Sequence, residues 1–204
     1  MLKFIKNSQG IMGLTLSHIG LFIATGILLA AVCTLIFYNN WQRTEELRAI
    51  TQSVSTLIQD MDARFFENTT LFQFPTKNYQ YSIELSTEYI VLSAKGYWGN
   101  DISVKERFII HPWPRNRTAN WTTGNELHGL LNETYGHNGT KEDPISLMNL
   151  TDLENEKKAS VSVLALKPLE LAVDAPLYVE KISTFDDMGG RHDFILMYQS
   201  LQLL

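Results

Sequence analysis

The longest apolar segment of the chain lies near its N-terminus. Residues 7–42 contain no Lys, Arg, Asp or Glu, and residues 11–38 are almost wholly apolar. A transmembrane helix needs about 20 apolar residues, whereas the apolar region of a cleaved signal peptide has about 7–15. The pattern therefore predicts a short basic head over residues 1–10 and a transmembrane helix over residues 11–38.

The charges on either side of this segment predict its orientation. Lys3 and Lys6 precede it, whereas the residues that follow mix Arg with Glu. Because a positively charged flank stays in the cytoplasm, we expect residues 1–10 inside the cell and residues 40–204 outside. The sequence thus predicts a membrane-anchored protein with an extracellular domain at the cell surface.

A second helical pattern follows the apolar segment. Residues 43–67 contain no Pro or Gly, and their apolar residues recur at spacings of three and four, the pattern of a helix with one apolar face. We expect the membrane helix to continue into an amphipathic stem over residues 39–67. The residues expected to form a buried seam along this stem are Leu47, Ile50, Val54, Leu57 and Met61.

The remaining residues, 68–204, change to a pattern typical of β-strands, with alternating apolar and polar residues and many β-branched and aromatic side chains. The expected strands are residues 79–86, 88–94, 102–110, 160–166, 170–173, 177–183 and 192–201. The first three should form a meander and the last two a hairpin. The pattern favours an α+β protein, in which the long helix precedes an antiparallel β-sandwich or open β-barrel-like domain.

Cysteine content and charge narrow the class of protein. The single cysteine, Cys33, lies inside the predicted span, so the outer domain must fold without disulfides. Its length suits one domain with its own core. A formal net charge of −5 without a basic patch argues against binding to nucleic acid.

Six Asn-X-Thr sequences form a second signal for the topology, because all of them lie on the predicted outer side of the membrane. Such sequences are acceptors for N-linked glycans on surface loops. The predicted glycosylation sites are Asn68, Asn116, Asn120, Asn132, Asn138 and Asn149. The crowding of five of them within residues 116–149 predicts that this stretch is exposed.

Motifs for catalysis and metal binding are absent from the sequence. It contains no Gly-X-Ser-X-Gly, P-loop or dinucleotide-binding motif. His128 and His137, with Glu126 or Glu133, are candidate metal ligands, but their spacing does not match a zinc-binding helix. We therefore expect no catalytic residues, no metal and no other cofactor, and interpret the histidines as solvated loop residues.

Three tryptophans near residues 111–118 allow two interpretations. Trp98, Trp113 and Trp121 either form an exposed contact for carbohydrate or cell wall, or cap the open end of the β-domain. Pro112 and Pro114 predict a loop in either case.

Small and polar residues interrupt the aliphatic pattern of the predicted span. An ionisable side chain in lipid commonly faces another helix, and small residues let helices approach closely. The residues expected to make helix–helix contacts are Gly13, Ser17, His18, Gly20 and Gly26. The alternative for His18 is a neutral side chain near the cytoplasmic interface.

A basic head (MLKFIKNSQG), an uncharged helix that continues into an amphipathic one, and a β-rich outer domain together resemble the type IV pilin superfamily. The resemblance is greatest to archaeal pilins, archaellins and the pilin-like stator subunits of the archaellum, and it covers about the first 65 residues. It implies a membrane peptidase that cuts after a small residue, here Gly10 or Gly13, and a helix that packs in a filament core. Bacterial pilins carry a Glu five residues into the mature helix, where this chain has Thr15 or His18; archaeal relatives usually lack it.

The expected function is therefore that of a cell-surface structural protein. It would be a subunit of an archaeal type IV filament, or a membrane anchor associated with one, and its partners would be the membrane, further copies and other pilin-like subunits. The alternative is a stand-alone, membrane-anchored binding module that contacts glycans or envelope components such as an S-layer.

Overall fold

The computed structural model describes residues 3–96, 99–116 and 119–199. The burial of side chains is described from residue 16 onward. The chain divides into two compact units, Met1–Arg43 and Thr44–Leu204. Helix α1 (Lys3–Asp62) supplies the described residues of the first unit and begins the second. The predicted long N-terminal helix is thus confirmed.

The second unit contains two further helices and eight strands. The elements that follow α1 are β1 (Asn68–Phe72), β2 (Tyr81–Leu85), β3 (Tyr89–Lys95), β4 (Asp101–Arg107), β5 (Trp113–Pro114), α2 (Gly124–Tyr135), α3 (Leu147–Leu166), β6 (Leu169–Leu171), β7 (Leu177–Phe185) and β8 (Arg191–Gln199).

The strands form two four-stranded sheets. Sheet I has the order β1-β7-β8-β5, and sheet II has the order β4-β3-β2-β6. All pairs are antiparallel except β5 with β8, where Trp113 lies opposite Leu196 in parallel register. The predicted α+β class, the β2–β3–β4 meander and the β7–β8 hairpin are confirmed.

The main core brings together the stem part of α1 and one face of each sheet. Burial alternates along β2, where Tyr81, Ile83 and Leu85 are buried and the residues between them are exposed. The same alternation along β3 and β4 directs a second set of apolar residues into this core. Leu177 and Val179 of sheet I belong to the same cluster. Because successive side chains of a strand point to opposite faces of the sheet, the strands present an apolar face, and the apolar stripe of the stem covers it.

Helices α2 and α3 form a second core on the other side of sheet I. Ile182, Phe194 and Leu196 pack there with Leu127 of α2 and Leu150 of α3. Sheet I is therefore covered on both faces, which explains why the middle of β8 is a continuous run of buried residues and not an alternating one.

Two predictions about the region of residues 116–166 are wrong. Residues 124–135 form α2 where exposed loop was expected, and residues 160–166 form the end of α3 where a strand was expected. Ser146 begins α3 by accepting a hydrogen bond from the Asn149 N–H, 3.3 Å from its hydroxyl oxygen. The Val-Ser-Val alternation that suggested a strand is short, and these residues continue a helix whose first turns bury Leu150 and Leu153 against sheet I.

The stem is also shorter than predicted, because α1 ends at Asp62 and not near residue 67. The ammonium group of Lys181, which is 3% exposed, donates to the carbonyl oxygens of Asp62 and Arg64, both at 2.6 Å. A cation at this position favours the C-terminal end of a helix. Beyond it, Phe65 and Phe66 are exposed.

Candidate functional site

The first candidate surface is the exposed apolar part of α1. Every residue from 16 to 38 except Ile36 is exposed, including large side chains such as Phe22, which is 77% exposed. An 18-residue window of this helix has a mean hydropathy of 2.5, and none of it is buried. By length and composition it is the one described helix that could cross a membrane.

Two hydroxyl groups in this surface are satisfied within the helix, and two aromatic side chains lie at its end. The hydroxyls of Thr25 and Thr34 donate to the carbonyl oxygens of Leu21 and Ala30, both at 2.8 Å. Such internal bonds let a hydroxyl enter an apolar environment. Tyr38 and Trp41 pack with ring centroids 6.2 Å apart, and Tyr and Trp are enriched where a span meets water.

The small residues of this helix leave open space beside them. A Cβ added at Gly20 or Gly26 would meet nothing within 4 Å. Ser17 and His18 are exposed on the same helix. Gly10 and Gly13 fall within the helical backbone of α1 but lie outside the residues whose surroundings are described. A second helix could approach Gly20 or Gly26 without displacing any side chain.

The stem seam lies mostly inside the main core. Leu47, Val54 and Met61 have no exposed surface, and Ile50 is 5% exposed. Leu57 is only partly buried and lies at the edge of the cluster. The fully buried neighbour of Leu57 in the helix is Ile58, at 1% exposure, so the stripe passes through residue 58 and not through residue 57.

The start of the stem is held to the loop that follows β1. The carboxylate of Glu46 accepts a hydrogen bond from the hydroxyl of Tyr79 at 3.1 Å and pairs with the ammonium of Lys77 at 3.0 Å. At the other end of the stem, Lys181 donates to the carbonyl oxygens of Asp62 and Arg64. Polar contacts therefore hold both ends of the stem, and apolar packing holds its middle.

The six predicted glycosylation sites differ in exposure. Asn116, Asn120 and Asn132 are exposed, whereas Asn68, Asn138 and Asn149 are partly buried. The side-chain oxygen of Asn138 accepts from the Thr140 N–H at 3.1 Å and from the Thr140 hydroxyl at 2.8 Å. Asn116, Asn120 and Asn132 therefore present an accessible amide in the folded domain, and Asn138 holds a tight turn.

The interpretation of the tryptophans as an exposed contact is wrong for two of them. Trp113 has no exposed surface and Trp121 is 1% exposed, and their rings pack edge to face with centroids 4.9 Å apart. Trp98 lies outside the described residues. Strand β5 carries Trp113 into the second core, which residues 111–118 alone do not reveal because the prolines there favour a loop.

Arg115 stabilises this tryptophan pair from inside. Its side chain is 7% exposed, and its guanidinium lies 3.6 Å from the ring centroid of Trp121. Nε and Nη2 donate to the Trp121 carbonyl at 3.1 and 3.0 Å, and Nη1 donates to Glu156 at 3.2 Å. Burial lowers the pKa of Arg115, while Glu156 favours its charged form.

The two histidines weighed as metal ligands have other partners, and the expectation that they lie in loops is wrong for one of them. His128 lies in α2, and its Nδ1 is 2.7 Å from the Asn138 carbonyl oxygen. His137 Nδ1 is 2.6 Å from Asp143, and this hydrogen bond contributes most to lowering the pKa of that carboxyl. Glu126 closes the capping box of α2 with Thr123. Among the described residues, no group of three His, Cys, Asp or Glu is placed to hold a metal ion.

A cleft of about 350 Å³ between α3 and β8 is not indicated by any sequence motif. His192 lines this cleft and bridges two acids, with Nδ1 3.4 Å from Glu154, which also lines it, and Nε2 3.2 Å from Asp186, which does not. Burial lowers the pKa of Lys157, whose charge faces Glu154. Glu154 and Lys157 lie far from Asp186 and His192 in the sequence, so only the packing of α3 on sheet I brings the two groups together.

The neighbouring Asp193 lies in an ionic network. Burial opposes ionisation of its carboxylate, but hydrogen bonds from Arg191, Ser183 and Lys181 outweigh that effect and lower its pKa. The network contacts Lys181, which caps α1, so it stabilises the end of the stem. The lining of the cleft thus includes His192 and its partner Glu154 but no Ser, Thr or Cys that could serve as a nucleophile.

Comparison with known proteins adds no family to this description. No protein-family model, no curated protein and no solved structure matched the chain.

Proposed function

We propose that this protein is a cell-surface structural subunit of pilin-like architecture, either a component of an archaeal type IV filament or a membrane anchor associated with one. One observation supports the proposal above the others. A single helix carries an apolar segment that is exposed on all sides, followed by a segment whose apolar stripe is buried in a β-rich domain.

The physical argument concerns what the exposed segment needs. Transfer of each large aliphatic side chain out of water is favourable by a free energy of about 1.5–3 kcal/mol. An apolar helix exposed on every face is therefore stable only in lipid or among other helices. Gly20 and Gly26 have room beside them for a neighbouring helix. In the proposal, the segment lies in the membrane before assembly and contacts further copies in the filament.

The role proposed is one of binding and assembly, without catalysis and without a metal or other cofactor. The outer domain would carry N-linked glycans and face the exterior. Asn116, Asn120 and Asn132 are the sites whose exposure favours modification. Peptide mapping of the protein from its native host should find glycans on at least three of the six sites, and six unmodified sites would remove this support for a surface location.

The principal test is incorporation into filaments. Gly20→Leu should block assembly, because the leucine fills the space that a neighbouring helix would occupy. Gly20→Ala is the matched control and should assemble, since it keeps the position small. Surface filaments sheared from wild-type and Gly20→Ala cells should contain the protein, and those from Gly20→Leu cells should lack it.

Both variants should still insert into the membrane with a folded outer domain. The mature N-terminus, measured by mass spectrometry, separates the two forms of the proposal. Cleavage after Gly10 or Gly13 indicates a filament subunit, whereas retention of Met1 indicates an accessory anchor. A membrane-bound monomer with no filament fraction in any strain would favour the stand-alone binding module instead.

A further inference from the structure

Helix α3 is anchored differently along its two halves. The first half buries Leu150 and Leu153 in the second core. From residue 154 to residue 166 only Leu164 is buried, and most of the other side chains are exposed. Apolar packing therefore holds the first half, whereas the attachment of the second half depends more on its polar contacts.

Two glutamates at the start of this second half pair with basic residues of sheet I. Glu156 accepts a hydrogen bond from Nη1 of Arg115, the residue after β5, at 3.2 Å. Glu154 lies 3.4 Å from Nδ1 of His192, near the start of β8. The two pairs differ in their response to pH, because a guanidinium stays charged whereas an imidazole titrates between about pH 5 and pH 8.

His192 has a carboxylate at each of its ring nitrogens. Besides Glu154 at Nδ1, the carboxylate of Asp186 lies 3.2 Å from Nε2. The other oxygen of Asp186 accepts from the N–H groups of Met188 and Gly190, at 2.9 and 2.7 Å, in the turn between β7 and β8. His192 thus links α3 to this turn.

The arrangement requires a charged imidazole. An ionised carboxylate only accepts hydrogen bonds, so both ring nitrogens must donate, and only the imidazolium has two N–H groups. A neutral ring has one N–H, and its other nitrogen would place a lone pair against a carboxylate oxygen. One of the two contacts is therefore lost when His192 loses its proton.

Burial determines which contact is lost. The side chain of Asp186 is 7% exposed, so water does not readily replace its histidine donor, whereas Glu154 is 40% exposed and can turn to solvent. Hydrogen bonds, chiefly from the Gly190 N–H, also lower the pKa of Asp186 and so favour its charged form. The contact that opens is the one between His192 and α3.

We propose that His192 is a pH-sensitive clamp for the second half of α3. The protonated ring holds Glu154 against the start of β8. As the pH rises through the range in which histidines titrate, the clamp opens, and Leu164 and the pair of Glu156 with Arg115 remain as anchors. The clamp lies wholly in the second unit and does not rest on the proposed function.

Other charged groups surround His192 in the cleft between α3 and β8. Those that line the cleft with it and with Glu154 are Glu88, His111, Lys157, Lys158 and Asp193. Asp193 is paired with Lys181 and Arg191, so its charge is already balanced.

Two of the lining groups could themselves respond to pH. Burial lowers the pKa of Lys157, whose charge attracts Glu154, and His111 is a second histidine at an exposed position. A pH response of α3 belongs to His192 only if it disappears when His192 is replaced and persists when His111 is replaced.

The test is hydrogen exchange of the full chain in lipid nanodiscs at about pH 5.5 and about pH 8, towards the two ends of the histidine range, with rates corrected for the intrinsic effect of pH. Peptides from residues 154–166 should exchange about twofold to fivefold faster at the higher pH, as expected for the loss of a partly exposed ion pair. Peptides from the stem, residues 44–62, should show no such difference, because apolar packing in the main core holds them.

Three variants assign the response. His192→Gln should remove it, because glutamine does not titrate, and α3 should exchange at both pH values as it does in the wild type at the higher pH. Glu154→Gln should reduce it, since a neutral amide is attracted less by the imidazolium. His111→Gln, the same substitution at an exposed position of the same cleft, is the matched control and should keep the full response.

Equal protection of α3 at the two pH values in the wild type would overturn the proposal. A response that persists in His192→Gln would assign it to Lys157 instead, and one that His111→Gln removes would assign it to His111. Near-UV circular dichroism checks that each variant is folded. If His192→Gln does not fold, Glu154→Gln decides in its place, and a full response in that variant would contradict the clamp.

Discussion

The two parts of helix α1 differ in how far their apolar residues are exposed. Residues 16–38 expose theirs on all sides, whereas the stem from Thr44 to Asp62 buries one stripe and exposes its opposite face. Both parts are rich in aliphatic residues, so apolar content does not separate them. The periodicity separates the two parts. A helix with one apolar stripe and polar residues opposite needs a single covering surface, whereas a helix that is apolar on every face needs an apolar environment all round.

The strongest test of this contrast is a charge placed in the stem stripe. Val54→Asp puts a carboxylate at a position with no exposed surface. We expect a loss of about 3–5 kcal/mol of unfolding free energy, a large share of the total stability of about 5–15 kcal/mol that is typical of a domain. Denaturant unfolding of the protein in nanodiscs, followed by near-UV circular dichroism, would measure it.

Two further variants calibrate that result. Gln52→Asp changes an exposed position of the same helix and should be nearly neutral. Leu57→Asp should be milder than Ile58→Asp, because only residue 58 is fully buried. Equal tolerance of Val54→Asp and Gln52→Asp would mean that the stripe is not part of the core.

An aspartate placed in the other part of α1 should affect membrane insertion and not folding. Ile27→Asp lies in the exposed apolar segment and should reduce membrane insertion by about 2.5–3.5 kcal/mol, the cost of an Asp near the centre of a span. The folding of the second unit, Thr44–Leu204, should not change. A glycosylation-mapped insertion assay measures the effect, and full insertion of the variant would argue against a transmembrane role.

A smaller effect is expected at the end of the stem. Lys181→Met keeps the length of the side chain but leaves the carbonyls of Asp62 and Arg64 without their donor. We expect a loss of about 1.5–3 kcal/mol, as for a hydrogen bond to a charged group. Lys158→Met, at an exposed position of α3, is the control and should leave the midpoint of chemical unfolding unchanged.

The smallest expected effect is the dependence of stability on pH. Hydrogen bonding, chiefly from the Gly190 N–H and also from His192, lowers the pKa of Asp186 in the folded state. Its contribution to stability is therefore complete above the unfolded pKa of about 3.9 and is lost as pH falls through the lower folded value. Melting temperatures between about pH 2 and pH 6 should fall more steeply for the wild type than for Asp186→Asn.

Asp152→Asn, on the exposed side of α3, should retain the wild-type slope. The exposed apolar segment supplies the contrast once more, because residues 16–41 contain no carboxylate and cannot contribute to acid unfolding. Identical slopes for all three proteins would mean that the hydrogen bonds of Asp186 do not affect stability.

Most local elements could be predicted because their signals lie within one turn or one strand. The apolar segment, the stem stripe, the β2–β3–β4 meander and the β7–β8 hairpin follow from periodicity and turn residues alone. The capping box at Thr123 and Glu126 was also readable, and it would have predicted the start of α2. The end of α3 could not be predicted in this way, because a short alternating segment is compatible with either strand or helix.

The sequence by itself thus determined an apolar segment able to span a membrane, an amphipathic helix behind it and a β-rich remainder, since each depends on neighbouring residues. Only the tertiary structure decided that the strands divide into two sheets, that Trp113 and Trp121 are buried, and that α3 covers sheet I. It also placed Glu154 beside His192. The reason is physical: these contacts join residues far apart in the chain, and their formation depends on strand register and helix packing that no local pattern encodes.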